Sequence, residues 1–236
     1  MEAVLTAAVA LLDEAGQSAL TFRALASRLG TGVGTIYWYV SNKDELFDRA
    51  TDHAVGGILT AVEELQESDD PIADLRAMAV VLFDAMMDRP WLAAYFMRNT
   101  DVQGHSLRLY DKLGRQTLRL DLTPRQRFHA VWAITGVVVG TAADLGAELP
   151  QELLDGDVDR VEYLSRYAET WRSLDAADFP FVHEIADEFA EHDDREQFLA
   201  ALDLTLAGLR LQAGPRAPKD NATKSDPTAN GSRPTP

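Results

Sequence analysis

The sequence predicts an all-α chain in which a small N-terminal three-helix head is followed by a larger helical bundle. Two observations carry this. Apolar residues recur at helical spacing, from Val4, Leu5, Ala8, Leu11 and Leu12 at one end to Phe198, Leu199, Leu202, Leu206 and Leu209 at the other. Between these stripes stand cap and stop residues: Thr21, Asn42 and Thr123 as helix starts, Gly16 and Gly30 as ends, and Arg89-Pro90-Trp91 as a break. With 236 residues and 46% hydrophobic composition, the chain can bury a substantial core.

The first helix runs from residue 2 to 15, and Gly16 closes it. Thr21 caps a second helix that reaches Leu29 and buries Leu25, Ala26 and Leu29. Gly30 adopts a positive φ without a Cβ clash, so the chain can turn and restart about three residues later, which is helix-turn-helix spacing. The third helix, from Val33 to Val40, turns Ile36 and Val40 inward and leaves Val33, Gly34, Thr35, Tyr37, Trp38 and Tyr39 around its outer surface. The expected head core is Leu5, Val9, Leu12, Leu20, Phe22, Leu25, Leu29 and Ile36. So many outward aromatic and hydroxyl side chains require a partner. The major groove of DNA supplies one, because a second helix touches base edges there while hydroxyls and N–H groups hold phosphates. A plain helical core is the competing reading, and it leaves the outward aromatics unexplained. The glycines at 30, 32 and 34 follow no strand and lack the dinucleotide-binding spacing.

Ser41 and Asn42 cap a fourth helix, with Asp44 and Glu45 at its positive end and apolar positions from Leu46 to Leu65, ending near Gln66. Gly56-Gly57 inside it costs about 1 kcal/mol per glycine and marks either close packing or a weak point. After Ser68-Asp69-Asp70-Pro71 comes a broad apolar face of Leu75, Met78, Leu82, Phe83, Met86 and Met87, which suits either a core or an adaptable pocket. Tyr95, Phe96, Arg98, Asn99, Asp101 and His105 follow the break as a short helix and loop. They read as pocket lining or as a solvated loop anchored by aromatics. A helix over 104–120 leads to Thr123-Pro124-Arg125-Gln126, a strong start for the helix carrying Phe128, Val131, Trp132, Thr135 and Val139. Its Gly136 and Gly140, one turn apart, leave a smooth groove. An amphipathic segment over 149–173, a short helix after Phe179-Pro180 and a last helix over 196–211 complete the body, and from Gly214 the composition predicts disorder.

The head resembles that of the tetracycline-repressor (TetR) family. The resemblance rests on Leu-Thr-x-Arg-x-Leu-Ala-x-x-Leu-Gly at residues 20 to 30, on Gly34-Thr35-x-Tyr37-Trp38-x-Val40, and on Asn42-Lys43-x-x-Leu46. Phe179-Pro180, Phe198-x-x-x-Leu202 and Leu206-x-Gly208-Leu209 resemble the close of that family's regulatory domain. The resemblance implies a helix-turn-helix DNA-binding domain at 1–47, a ligand-binding and dimerisation domain at 48–212, and a disordered tail at 213–236. It assigns the DNA surface to Thr21, Arg23, Val33, Gly34, Thr35, Tyr37, Trp38, Tyr39 and Lys43. It also implies a homodimer on a palindromic operator, repression, and release by a small-molecule inducer. Val33 and Gly34 stand where the name-giving repressor has an amide side chain and a proline; valine can meet a thymine methyl but cannot read an adenine edge, so a different operator is expected. Candidate pocket residues are Phe83, Met87, Tyr95, Arg98, Asn99, His105 and Trp132; His105 does not align with the drug-chelate histidine of that repressor, so tetracycline itself is not implied. Candidate dimer contacts are Trp132, Gly136, Gly140, Leu202, Leu206 and Leu209. Relatives often carry a basic segment before the first helix, whereas this chain opens at Met1 already inside an apolar pattern.

Other classes lack signals. The chain has no cysteine, a net charge of −16 and five histidines without metal-ligand spacing, and it shows no nucleophile elbow or phosphate loop. An enzyme, a cofactor and a bound metal are therefore not expected. Neither a secretory signal nor an uncharged apolar run of about 18 residues is found, so a cytoplasmic protein with no membrane partner is expected. Residues 1–47 hold three basic residues (Arg23, Arg28, Lys43) against five acidic ones (Glu2, Asp13, Glu14, Asp44, Glu45), which predicts weak non-specific attraction to DNA. That balance keeps open a ligand-binding or scaffold protein whose head no longer binds DNA.

Overall fold

The computed structural model describes residues 1–97, 104–146, 153, 156 and 158–214. The expected pocket residues Arg98 and Asn99, and nearly all of the expected disordered tail, lie outside them. Twelve helices are described, and no strand occurs among the described residues.

The first helix, α1 (Glu2–Ala19), buries Val4, Ala7, Ala8 and Leu12, while the expected Leu5 and Val9 are only half-buried. The reason is the approach of α4 (Lys43–Glu63), whose close packing favours the face that carries the small alanines. Gly16, at φ 67°, kinks the end of α1, and α2 (Phe22–Arg28) starts beyond Thr21, whose hydroxyl oxygen accepts from the Ala24 N–H at 3.1 Å. After α2 the Gly30 N–H bonds to the Ser27 carbonyl and the Thr31 N–H to the Ala26 carbonyl, with Gly30 at φ 62°. This reverse-turn cap stops α2 and launches α3 (Val33–Tyr37). The reading helix is shorter than predicted: regular helix ends at Tyr37, though Val40 remains buried.

Asn42 caps α4 through the Glu45 N–H at 2.8 Å, and Glu45 in turn accepts from the Ser41 N–H at 2.7 Å. This helix straddles the expected domain boundary at residue 47. Its Leu46, Phe47 and Ala50 are buried, with the Phe47 ring against Trp91 and Tyr95 of the body, and Ile58, Leu59 and Val62 continue the same apolar cluster. It ends at Glu63, short of the expected Gln66.

The body is built around α5 (Pro71–Asp88), against which α7 (Gly104–Leu118), α8 (Pro124–Leu145) and α12 (Asp194–Ala213) pack, with α6 (Pro90–Phe96) turned off its end. Phe83 stacks on Phe198 at 3.7 Å between ring centroids, clamping α5 to α12. Arg119, just past α7, meets Asp74 at 2.6 Å and Glu67 at 3.1 Å and donates to the Ser68 carbonyl. Burial disfavours the Asp74 carboxylate, but the hydrogen bonds from Ser68 and Arg119 together hold its pKa below the ordinary carboxylate value. The remaining helices, α9 (Arg160–Ser173), α10 (Pro180–Glu184) and α11 (Ala186–Glu191), pack on one another around Leu164, Ala168, Ala186 and a Trp171–Phe189 ring contact at 4.1 Å.

By length and composition α8 is apolar enough to cross a membrane. Its Val131, Ile134, Val138 and Ala142 stripe is, however, buried among helices of the body.

Candidate functional site

The surface of α3 departs most from what packing requires. Only Ile36 of this helix is buried. Trp38 is 88% exposed and Tyr37 59%, and Val33, Gly34, Thr35 and Tyr39 also face solvent, as do Arg23 on α2 and Lys43 at the start of α4. Two contacts hold this surface in shape. The Tyr37 ring sits edge-on to Phe22 at 4.7 Å, and the Thr31 hydroxyl donates to the Thr35 hydroxyl oxygen at 3.0 Å. Thr21 serves as a helix cap, its side-chain oxygen taken by Ala24. The third basic residue of the head, Arg28, is claimed by Glu14 through two hydrogen bonds of 2.6 Å. That guanidinium holds the Glu14 carboxyl below its ordinary pKa, so Arg23 and Lys43 are left as the cations of the head without an ion-pair partner among the described residues.

In the body a cavity of about 490 Å³ opens between α4, α5, α6, α7 and α8. Ile58, Leu82, Met86, Phe96 and Met97 form one side, and Ser106, Leu109, Tyr110 and Leu113 of α7 another. The α8 wall is Trp132, Thr135, Gly136, Val139 and Gly140. Of the expected pocket residues, Trp132 is brought to this cavity. Phe83 is instead consumed by its stack on Phe198, and Tyr95 is buried edge-on against Phe47 at 5.3 Å. Met87 points to solvent while its neighbour Met86 lines the cavity. Gly136 and Gly140, expected at a dimer contact, line the cavity, and a Cβ on either would meet nothing within 4 Å.

His105 lies beside the cavity rather than in its wall. Its Nδ1 is 2.8 Å from Asp52 Oδ2 of α4, and Asp52 Oδ1 accepts from the His105 N–H at 2.8 Å and the Ser106 N–H at 3.4 Å. The His105 ring rests on Gly56, where an added Cβ would stand 3.4 Å from it. The first glycine of the pair therefore marks close packing. A second tie joins α1 to the body: Asp13 accepts from Trp91 Nε1 at 2.8 Å and from Arg89 at 3.0 Å. Sequence reasoning missed Asp13, Asp52, Ser106 and Tyr110. Carboxylates and hydroxyls at isolated positions carry no periodic signal, and their partners lie far away in the chain.

Residues 4–50 match the model of the tetR family of bacterial regulatory proteins, and residues 65–213 match the tetracycline repressor-like C-terminal domain. The chain belongs to the TetR family. A TetR regulator of known structure from Streptomyces coelicolor is 37% identical, with 90% of this chain and 98% of that one covered and a TM-score of 0.75. ActR from the same organism, solved in complex with actinorhodin, shares the fold at 22% identity, with 89% and 95% of the two chains covered and a TM-score of 0.76. The transcriptional repressor DrrR1 of Streptomyces coeruleorubidus is 27% identical over 179 residues, 73% of this chain and 60% of its own length. This TetR-family chain spans less than two thirds of the curated relatives it matches, 37% in the case of an HTH-type regulator of Saccharopolyspora erythraea.

The last helix of this TetR-family chain corrects the sequence reading. Leu202, Leu206 and Leu209 are buried within the subunit among α5, α8 and α12, and so are not available to a second copy. The opposite side of α12 presents Ala200, Leu204, Ala207 and Leu211, all exposed, at spacings of four, three and four. Two apolar stripes share this helix, and the one with Phe198, Leu202, Leu206 and Leu209 is inward.

Proposed function

We propose that the chain is a ligand-responsive transcriptional repressor that binds a palindromic operator as a homodimer in the cytoplasm and is released by a small molecule. The observation that carries this reading is α3: a short helix with one buried residue and an outer surface of aromatic, hydroxyl and small side chains, held by Phe22 and Thr31. Val33 and Thr35 at its start meet base edges, while Tyr37, Trp38, Tyr39 and Lys43 hold the sugar-phosphate wall. The exposed stripe of α12, together with Phe128 and Trp132 of α8, forms a four-helix dimer contact with the same faces of a second copy. The paired α3 helices then enter successive major grooves about 34–36 Å apart.

The cavity takes the effector. Support comes from its apolar lining and from ActR, which was solved with actinorhodin bound. Ser106 belongs to the cavity wall while its N–H, with that of His105, is held by Asp52 of α4, so a ligand that displaces the start of α7 tilts the helix that carries the head. A ligand shifts the heads only by its differential affinity for the two arrangements.

The acidic balance and the capture of Arg28 by Glu14 favour a second reading, a ligand-binding or scaffold protein whose head no longer binds DNA. Gel-shift titration on DNA from around the chain's own gene, against unrelated DNA of equal length and with salt varied, separates the two. Selective retardation is expected; equal retardation of both DNAs overturns the regulator reading.

A further inference from the structure

Three properties of the cavity define what it can accept. First, among the described residues its lining carries no charged side chain. The nearest imidazole, His105, is engaged by Asp52 and packed on Gly56. An anionic or cationic ligand group would lose its water and find no counter-charge among these described residues. Second, Trp132, Tyr110 and Phe96 supply rings, Met86 and Met97 supply polarizable sulfur, and Gly136 and Gly140 expose a strip of α8 with nothing within 4 Å of either Cβ position. A flat ring system can lie on such a strip, and a bulky branched ligand gains nothing from it.

Third, the three hydroxyls of the wall differ in what they offer. Thr135 donates its hydrogen to the Val131 and Trp132 carbonyls at 2.9 and 3.1 Å, so toward the cavity its oxygen can only accept. Ser106 and Tyr110 have no side-chain hydrogen bond among the described residues and remain able to donate. The wall is matched to a ligand with at least one hydroxyl donor and at least one carbonyl acceptor.

We propose that the effector is an uncharged, planar, fused-ring aromatic molecule bearing both hydroxyl and carbonyl groups, bound along the Gly136–Gly140 strip without a metal ion. This rests on the reading of the cavity as the effector site and goes further by naming the ligand class.

The test is equilibrium dialysis of the full chain against anthraflavic acid, a dihydroxyanthraquinone uncharged at mildly acidic pH, with anthraquinone disulfonate as the charged counterpart and EDTA present throughout. The neutral probe is expected to bind about a hundredfold more tightly than the disulfonate. Thr135→Val should weaken it about tenfold by leaving a ligand hydroxyl unpaired. Gly140→Ala raises helix propensity and so does not endanger the fold, yet it should weaken the neutral probe by about tenfold by narrowing the strip. Equal or tighter binding of the disulfonate, a requirement for added magnesium, or unchanged affinity in both variants would overturn the proposal. Operator binding is measured on the same sample: retained DNA binding with no uptake of the neutral probe removes the ligand class and leaves the regulator, whereas loss of selectivity for DNA removes the regulator whatever the probe does.

Discussion

Asp52 caps the start of α7 from the middle of α4, accepting from the His105 N–H at 2.8 Å while its second oxygen meets His105 Nδ1 at 2.8 Å. The carboxylate thereby joins the helix that carries the DNA-binding head to the helix that walls the cavity. Asp52→Ala leaves these N–H groups without their partner. It is expected to cost about 1–3 kcal/mol in thermal or urea unfolding. A larger effect is expected on coupling: the variant should bind operator and effector separately but show a reduced effector-induced loss of DNA affinity. Full induction in Asp52→Ala would show that the signal takes another route.

Tyr37 and Trp38 separate DNA contact from folding. Trp38 is 88% exposed, so Trp38→Ala should change stability by no more than about 0.5 kcal/mol while sharply weakening operator binding. Tyr37→Ala removes the edge-on contact with Phe22 as well and should cost about 1 kcal/mol of stability along with its loss of affinity. Gel-shift and melting measurements on both variants check this pairing. Unchanged operator affinity in both would exclude α3 as the reading helix.

The head was legible because its signals are local. Thr21, Gly30 and Asn42 act on backbone groups a few residues away, and each occupies the cap or turn the sequence assigned to it. The cavity was legible only in part, because helical spacing gives a residue's angle on its helix and leaves the neighbouring helix unspecified. Met86 and Met87 differ by one position, yet one lines the cavity and the other faces solvent. Phe83 has the same apolar signature as a pocket residue and is spent on Phe198. On α12 two apolar stripes coexist, and the one formed by the more regular leucines proved to be the inward one.

Salt dependence follows from the small number of available cations. With Arg28 bound to Glu14, Arg23 and Lys43 give two phosphate contacts per head, and a dimer should show a slope of log K against log salt of about −4. Glu14→Gln frees Arg28 and should steepen that slope by about 1 to 2 and raise affinity at low salt. An unchanged slope would mean that Arg28 does not reach the DNA backbone.

Acid should loosen the corner where Arg119 gathers Asp74, Glu67 and the Ser68 carbonyl. Because the Asp74 pKa is lowered in the fold, its contribution is complete above the ordinary carboxylate value of about 4 and is lost as pH falls through the depressed folded value. Melting temperatures should therefore fall more steeply below about pH 4 in the unaltered protein than in Asp74→Asn, which starts lower at neutral pH. Parallel pH profiles for the two proteins would assign the acid sensitivity to other carboxylates.

The two stripes of α12 predict opposite outcomes for one substitution type. Leu204 is 77% exposed and Leu211 85%, whereas Leu206 is 4% exposed within the subunit core. Glutamate at Leu204 or Leu211 meets water in the separated subunit and should leave its helix content and much of its stability intact. In a dimer the same charge is buried against its symmetry mate, so light scattering at micromolar concentration should show the mass of one chain. Leu206→Glu places an unpaired charge inside the subunit and should prevent folding altogether. Operator affinity should fall with dimerisation in Leu204→Glu even though every DNA-contacting side chain is unaltered, because two tethered heads bind far more tightly than one. A Leu204→Glu, Leu211→Glu double variant that remains dimeric would place the contact elsewhere, with Phe128 and Trp132 of α8 the next face to substitute.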